Sequence, residues 1–92
     1  MQAQSITAAQ LRAARGALKL SVRELAERVG IGSATIVRYE ASEGVPKSRK
    51  GHLDVLRSYF EQAGIEFIGT ADEGPGIRLW KDGRRSGEDA AP

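Results

Sequence analysis

The chain has 92 residues, no cysteine and a formal net charge of +2, which describes one small domain and excludes disulfides, thiolate-bound zinc and thiol catalysis. Residues 1–50 carry nine Lys/Arg against four Glu, a balance of +5, whereas residues 51–92 carry five Lys/Arg against eight Asp/Glu, a balance of −3. A basic N-terminal half matches the footprint of a nucleic-acid-binding face, and an ordinary solvated surface with uneven charge matches it equally well.

The opening residues, MQAQSITAAQ, hold neither a basic stretch nor an apolar run, so no secretory signal is expected. No apolar stretch approaches the length of a membrane span, and a soluble cytoplasmic protein is the expectation. Ile6, Thr7, Gln10 and Leu11 then form a capping box with a hydrophobic staple. Leu11, Ala14 and Leu18 repeat at helical spacing, predicting a helix over 8–18. Leu20, Ser21, Glu24 and Leu25 play the same four roles for a second helix over 22–29. Ile31 and Ile36 flank Gly32, a permissive N-cap, for a third over 33–41.

Past a Pro-containing loop at 41–48, Leu53, Leu56, Tyr59, Phe60 and Ala63 mark the apolar face of a fourth helix, and Gly64 suits its left-handed C-terminal cap. Residues 65–68 and 76–81 alternate apolar with polar, as half-buried strands do. The turn-rich stretch 69–75 between them predicts a β-hairpin with a seven-residue loop. Residues 82–92 have little to bury and are expected to be a disordered tail. The expected organisation is a mainly α bundle over 5–64, a hairpin over 65–81 and the tail.

The connection between the second and third helices carries the functional reading. Two helices joined by a short glycine-bearing turn form a helix-turn-helix, whose second helix enters the DNA major groove. Ala26 is small enough for a close crossing, and Gly30 adopts positive φ without steric cost. Leu25, Val29, Ile31 and Ile36 fill the space between the helices. Any helical hairpin of a small bundle also accommodates such residues, so this pattern alone leaves a purely structural alternative open.

The stretch QLRAARGALKLSVRELAERVGIGSATIVRYEAS resembles the Cro/repressor-like helix-turn-helix family, also called the xenobiotic-response-element family. The match runs through Leu11, Arg12, Arg15, Leu20, Ser21, Glu24, Leu25, Ala26, Gly30, Ile31, Thr35, Ile36, Tyr39 and Glu40. Val22 departs from a frequent Gln that binds phosphate, and Gly32 departs from a frequent Ser cap. The resemblance implies a lambda-repressor-like fold of bacterial or phage type and a structural ion pair between Arg15 and Glu40. It also implies base contacts by Ser33, Ala34, Thr35 and Arg38, to which Val37 is added as a partner for thymine methyl groups. Arg38 is the best candidate for specificity, because guanidinium donates two bonds to guanine; a phosphate contact or a solvated charge is the competing reading.

Phosphate contacts are expected from Ser21 and Arg23 at the start of the second helix and from the basic run Lys47, Ser48, Arg49 and Lys50. The family commonly binds inverted repeats as a two-fold dimer. The exposed edge of strand 76–81, with Ile77, Leu79 and Trp80, is the expected dimer surface; the alternative is that the hairpin packs on the fourth helix and completes the core. His52 is a lone histidine, and Asp72 and Glu73 fit neither an EF-hand nor a P-loop, so no enzyme, metal or cofactor is expected. The expected function is a sequence-specific regulator of transcription, with repression favoured, that binds double-stranded DNA. The alternative is a DNA-binding antitoxin or an excision regulator of a mobile element, using the C-terminal half to hold a protein partner.

Overall fold

The computed structural model describes residues 5–49 and 51–80. The expected tail at 82–92, and with it Lys50 and Lys81, lies outside the described residues. Four helices come first: α1 (Ala8–Ala17), α2 (Val22–Val29), α3 (Ser33–Glu40) and α4 (His52–Gln62). Two antiparallel strands follow, β1 (Ile65–Thr70) and β2 (Glu73–Leu79).

The first two helices begin where their side chains can replace missing backbone partners. Thr7 Oγ1 accepts the Gln10 N–H at 3.0 Å, and Gln10 Oε1 accepts the Thr7 N–H at 2.9 Å. Ser21 and Glu24 repeat the exchange on α2 at 3.0 and 2.8 Å. Each box contributes about 1 kcal/mol. Gly32 caps α3 without any side-chain hydrogen bond.

The end of α1 differs from the sequence expectation. The helix stops at Ala17, and Lys19 adopts φ 59°. The Leu20 N–H donates to the Arg15 carbonyl at 3.1 Å and the Lys19 N–H to Gly16 at 3.0 Å. This is a Schellman closure with lysine where glycine is usual, so composition does not announce it. Between α2 and α3, Gly30 at φ 73° makes the expected left-handed turn.

The side chains of Ile6, Leu11, Leu25, Ile36, Tyr39, Leu56, Phe60 and Ile65 are fully buried and form one core drawn from all four helices and the first strand residue. α2 and α1 both pack on α3, and α4 packs on β1 while α1 packs on β2. The hairpin therefore rests on two helices rather than on the fourth alone. Phe67 and Ile77 lie against the core, with Phe67 edge-on to Phe60 at 6.2 Å between ring centres.

The hairpin is longer and its turn shorter than the sequence suggests. Only Ala71 and Asp72 form the turn, and the ladder runs from Ile65↔Leu79 to Ile68↔Gly76, then shifts at Gly69 before Thr70↔Glu73. The extra residue lies on β2, where Gly74 and Pro75 face the single residue Gly69. Gly69 sits at φ 76°, where an added Cβ would stand 2.4 Å from the Gly74 carbonyl oxygen. The Thr70 hydroxyl accepts the Asp72 and Glu73 N–H groups at 3.3 and 3.1 Å and holds the turn shut.

The expected seven-residue loop is thus largely strand. Its Gly and Pro content reads as loop, but both residue types fit a bulged edge. The Trp80 N–H donates to the Gly64 carbonyl at 2.9 Å. Ladder alternation then turns the backbone polar groups of Leu79 and Ile77 outward, and Pro75 falls in the register shift, where proline sacrifices no regular ladder bond.

Gln10 ties this unit to the helices. Its amide nitrogen donates to the carbonyls of Ile68 at 3.0 Å and Gly76 at 2.9 Å, a cross-strand pair. One nearly buried side chain therefore caps α1 and docks the hairpin on it. Only the cap is legible in the sequence.

Candidate nucleic-acid interface

α3 divides cleanly between two faces. Ile36, Tyr39 and Glu40 point into the fold, while Ser33, Ala34, Val37 and Arg38 are exposed and Thr35 is half-buried. Val37 keeps 54% of its surface in solvent, an apolar group displayed among polar neighbours. The Arg38 guanidinium lies 5.5 Å from the Tyr39 ring centre. Among the described residues it forms no salt bridge, which leaves its fork of donors available.

Two arginines of α1 hold the last turn of this helix. Arg15 Nε and Nη2 donate to the two Glu40 carboxylate oxygens at 2.7 and 2.8 Å, and Nη1 donates to the Leu20 carbonyl at 3.0 Å. The side chains keep only 23% and 10% of their surface exposed, so each partner depends on the other. The hydrogen bond to Glu40 raises the Arg15 pKa, against the opposing effect of burial. Arg12 donates through Nη1 to the Glu40 main-chain carbonyl. The family pattern includes Arg12 without giving it a part; its bond joins residues 28 positions apart and has no local signature.

The expected phosphate ligands flank α3 on exposed surface. Ser21 and Arg23 stand at the start of α2, and Lys47, Ser48 and Arg49 lie in the segment leading to α4. Lys50 lies outside the described residues. The Ser21 hydroxyl is already engaged as the α2 cap. Val22 packs against the core, which accounts for an apolar residue at its position.

A family model described as a helix-turn-helix domain matches residues 7–65. The chain belongs to the helix-turn-helix domain family. The match begins at the N-cap of α1 and ends at the first residue of β1, and it agrees with the resemblance carried by α1 to α3. No curated protein and no solved structure matches the chain. Within this helix-turn-helix protein, α2, the Gly30 turn and α3 form the helix-turn-helix itself.

The hairpin beyond β1's first residue lies outside the matched span. Ile77 is packed against the core of the helix-turn-helix bundle, and Trp80 is half-buried with its indole N–H donated to Glu66 at 2.9 Å. Arg78 covers the Trp80 ring at 5.5 Å and reaches Glu66 at 3.2 Å. Leu79 is 50% exposed, the least engaged of the three expected interface residues. Among the described residues no group of His, Cys, Asp or Glu could hold a metal ion, and no helix is long and apolar enough to cross a membrane.

Tyr39 belongs to the family match and His52 is a lone histidine in the sequence, and the structure links them. The Tyr39 hydroxyl lies 2.7 Å from His52 Nδ1 and accepts the Arg49 backbone N–H at 3.3 Å. The ring of a core tyrosine is visible as an apolar residue in a periodic pattern; its hydroxyl partners across a loop are not.

Proposed function

We propose that this helix-turn-helix protein is a sequence-specific transcriptional regulator, acting as a repressor, that lays α3 in the major groove of double-stranded DNA. The observation that carries the reading is the outer face of α3, exposed along Ser33, Ala34, Val37 and Arg38 and held from behind by Arg12 and Arg15. In this reading Arg38 reads guanine, Ala34 and Val37 meet thymine methyl groups, and Ser33 and Thr35 bond base edges. Ser21, Arg23, Lys47, Ser48, Arg49 and Lys50 take phosphates. The helix-turn-helix bundle is assigned to 5–64 and the hairpin extension to 65–81. The protein acts in the cytoplasm, on nucleoid DNA, and needs no cofactor.

One recognition helix covers few base pairs, and the proposed operator is an inverted repeat bound by a homodimer. The outward backbone groups of Ile77 and Leu79 on β2, together with the exposed Leu79 side chain, support pairing through this strand; Trp80 would close the surface. The same open edge favours the second reading, in which the hairpin holds a protein partner, as in an antitoxin or an excision regulator. Selecting bound sites from random duplexes tests these together. A palindromic consensus is expected; recovery of random sequence would overturn specific recognition, and a single unrepeated half-site would overturn the dimer.

A further inference from the structure

The basic segment after α3 must meet the same duplex as α3, so its placement relative to that helix matters as much as its charge. Gly44 is tied to α1 through the Ala8 N–H at 2.8 Å. Residues 46–49 are joined to α3 through the Arg49 N–H, which donates to the Tyr39 hydroxyl. A fully buried ring at position 39 needs no hydroxyl for packing, and a buried hydroxyl without partners is costly. Here it is placed to use both of its capacities. An amide N–H only donates, so the hydroxyl accepts from Arg49 and is free to give its one proton to His52 Nδ1. That assignment puts the imidazole proton on Nε2.

We propose that Tyr39 is a positioning residue for phosphate binding. Its hydroxyl, oriented by His52 at the first position of α4, holds the Arg49 backbone and sets Lys47 and Arg49 in register with the bases met by α3. The inference rests on the DNA reading and adds a residue that touches no DNA. Removing the hydroxyl loosens the basic segment without altering the reading face. The penalty therefore falls on affinity for every sequence and on its salt dependence, and base preference stays as it was.

The test compares the full chain with Tyr39→Phe, which keeps the buried ring. Expected are faster hydrogen exchange at the Arg49 amide, a roughly fivefold weaker Kd on cognate and unrelated duplexes alike, and a log–log salt slope shallower by about 0.9 for each phosphate no longer neutralised. His52→Ala should move the slope the same way, and His52→Asn, which retains an acceptor near the Nδ1 position, should restore it. This second pair leaves Tyr39 in the core and carries the test should Y39F fold poorly. An unchanged slope in both Y39F and H52A, or a drop in melting temperature alone, overturns the positioning role. A wild-type chain that binds no duplex at any salt overturns the DNA reading, and this role with it.

Discussion

Arg15 and Glu40 stand 25 positions apart and meet in a two-pronged ion pair. The family resemblance implies such a pair; the geometry adds that Arg12 grips the main-chain carbonyl of the same glutamate. Side chain and backbone of one residue are therefore both held from α1, which constrains the direction of α3 as well as its distance. Removing one partner strands the other in a largely enclosed site. Because Arg15 retains 23% exposure, water softens the loss, and Glu40→Gln is expected to cost about 1–2 kcal/mol in urea unfolding, below the range for a fully buried pair. A double-mutant cycle with Arg15→Leu should return coupling of about 1 kcal/mol or more. Additive effects would remove the pair as the device that sets α3.

Among the elements, local chemistry explains the starts of α1 and α2 and fails at the end of α1 and at the hairpin turn. Thr7, Ser21 and their partners three residues on are readable because a capping box is a contiguous signature. On α2 it also predicts pH dependence. The Glu24 carboxyl titrates below its usual range, first through the Ser21 backbone N–H and then through the Ser21 side chain. A carboxylate lowered in the folded state gives stability that is present above its unfolded pKa and lost as pH falls through the folded one. Glu24→Gln should therefore flatten the acid limb of a stability–pH curve measured by urea unfolding; an unaltered limb would show that the box carries no linkage. The hairpin turn departs from its sequence expectation because Gly and Pro at 69–75 suit either a loop or a bulged edge, and only pairing distinguishes them. Gly69→Ala adds a Cβ to a backbone already at positive φ and drives it into Gly74. A loss of at least ~2 kcal/mol is expected in thermal or urea unfolding, and wild-type stability would mean the bulge is not formed.

For the whole molecule, charge and shape divide the work. The basic half supplies the exposed cations around α3, and the acidic half supplies β1, β2 and a small apolar outlet at Leu79. The two classes of proposed DNA contact can be separated by measurement. Arg38→Ala should relax base preference at one position of the site, at a cost of about 1–3 kcal/mol on the cognate duplex. Lys47→Ala should weaken all duplexes alike and reduce the salt slope by about one per protomer. Fluorescence anisotropy across a salt series reads both, and exchanged phenotypes would reverse the two roles. The family, the number and order of helices and the inward and outward sides of α3 are legible in the sequence, because each rests on periodicity, caps or a short spaced pattern.

The helix-turn-helix can be read from the residues alone. Ala26, Gly30 and the aliphatic residues permit it, and the spaced match from Leu11 to Glu40 separates it from other helical hairpins, because each of these signals is carried by residue type at fixed spacing. How the helices are aimed and what the hairpin rests on emerge only from long-range contacts in the fold. Arg12 on the Glu40 carbonyl, Gln10 across the two strands and Tyr39 between Arg49 and His52 are hydrogen bonds from polar groups that each accept many partners. Residue type states what such a group can bond. Only the folded chain brings one particular partner within reach.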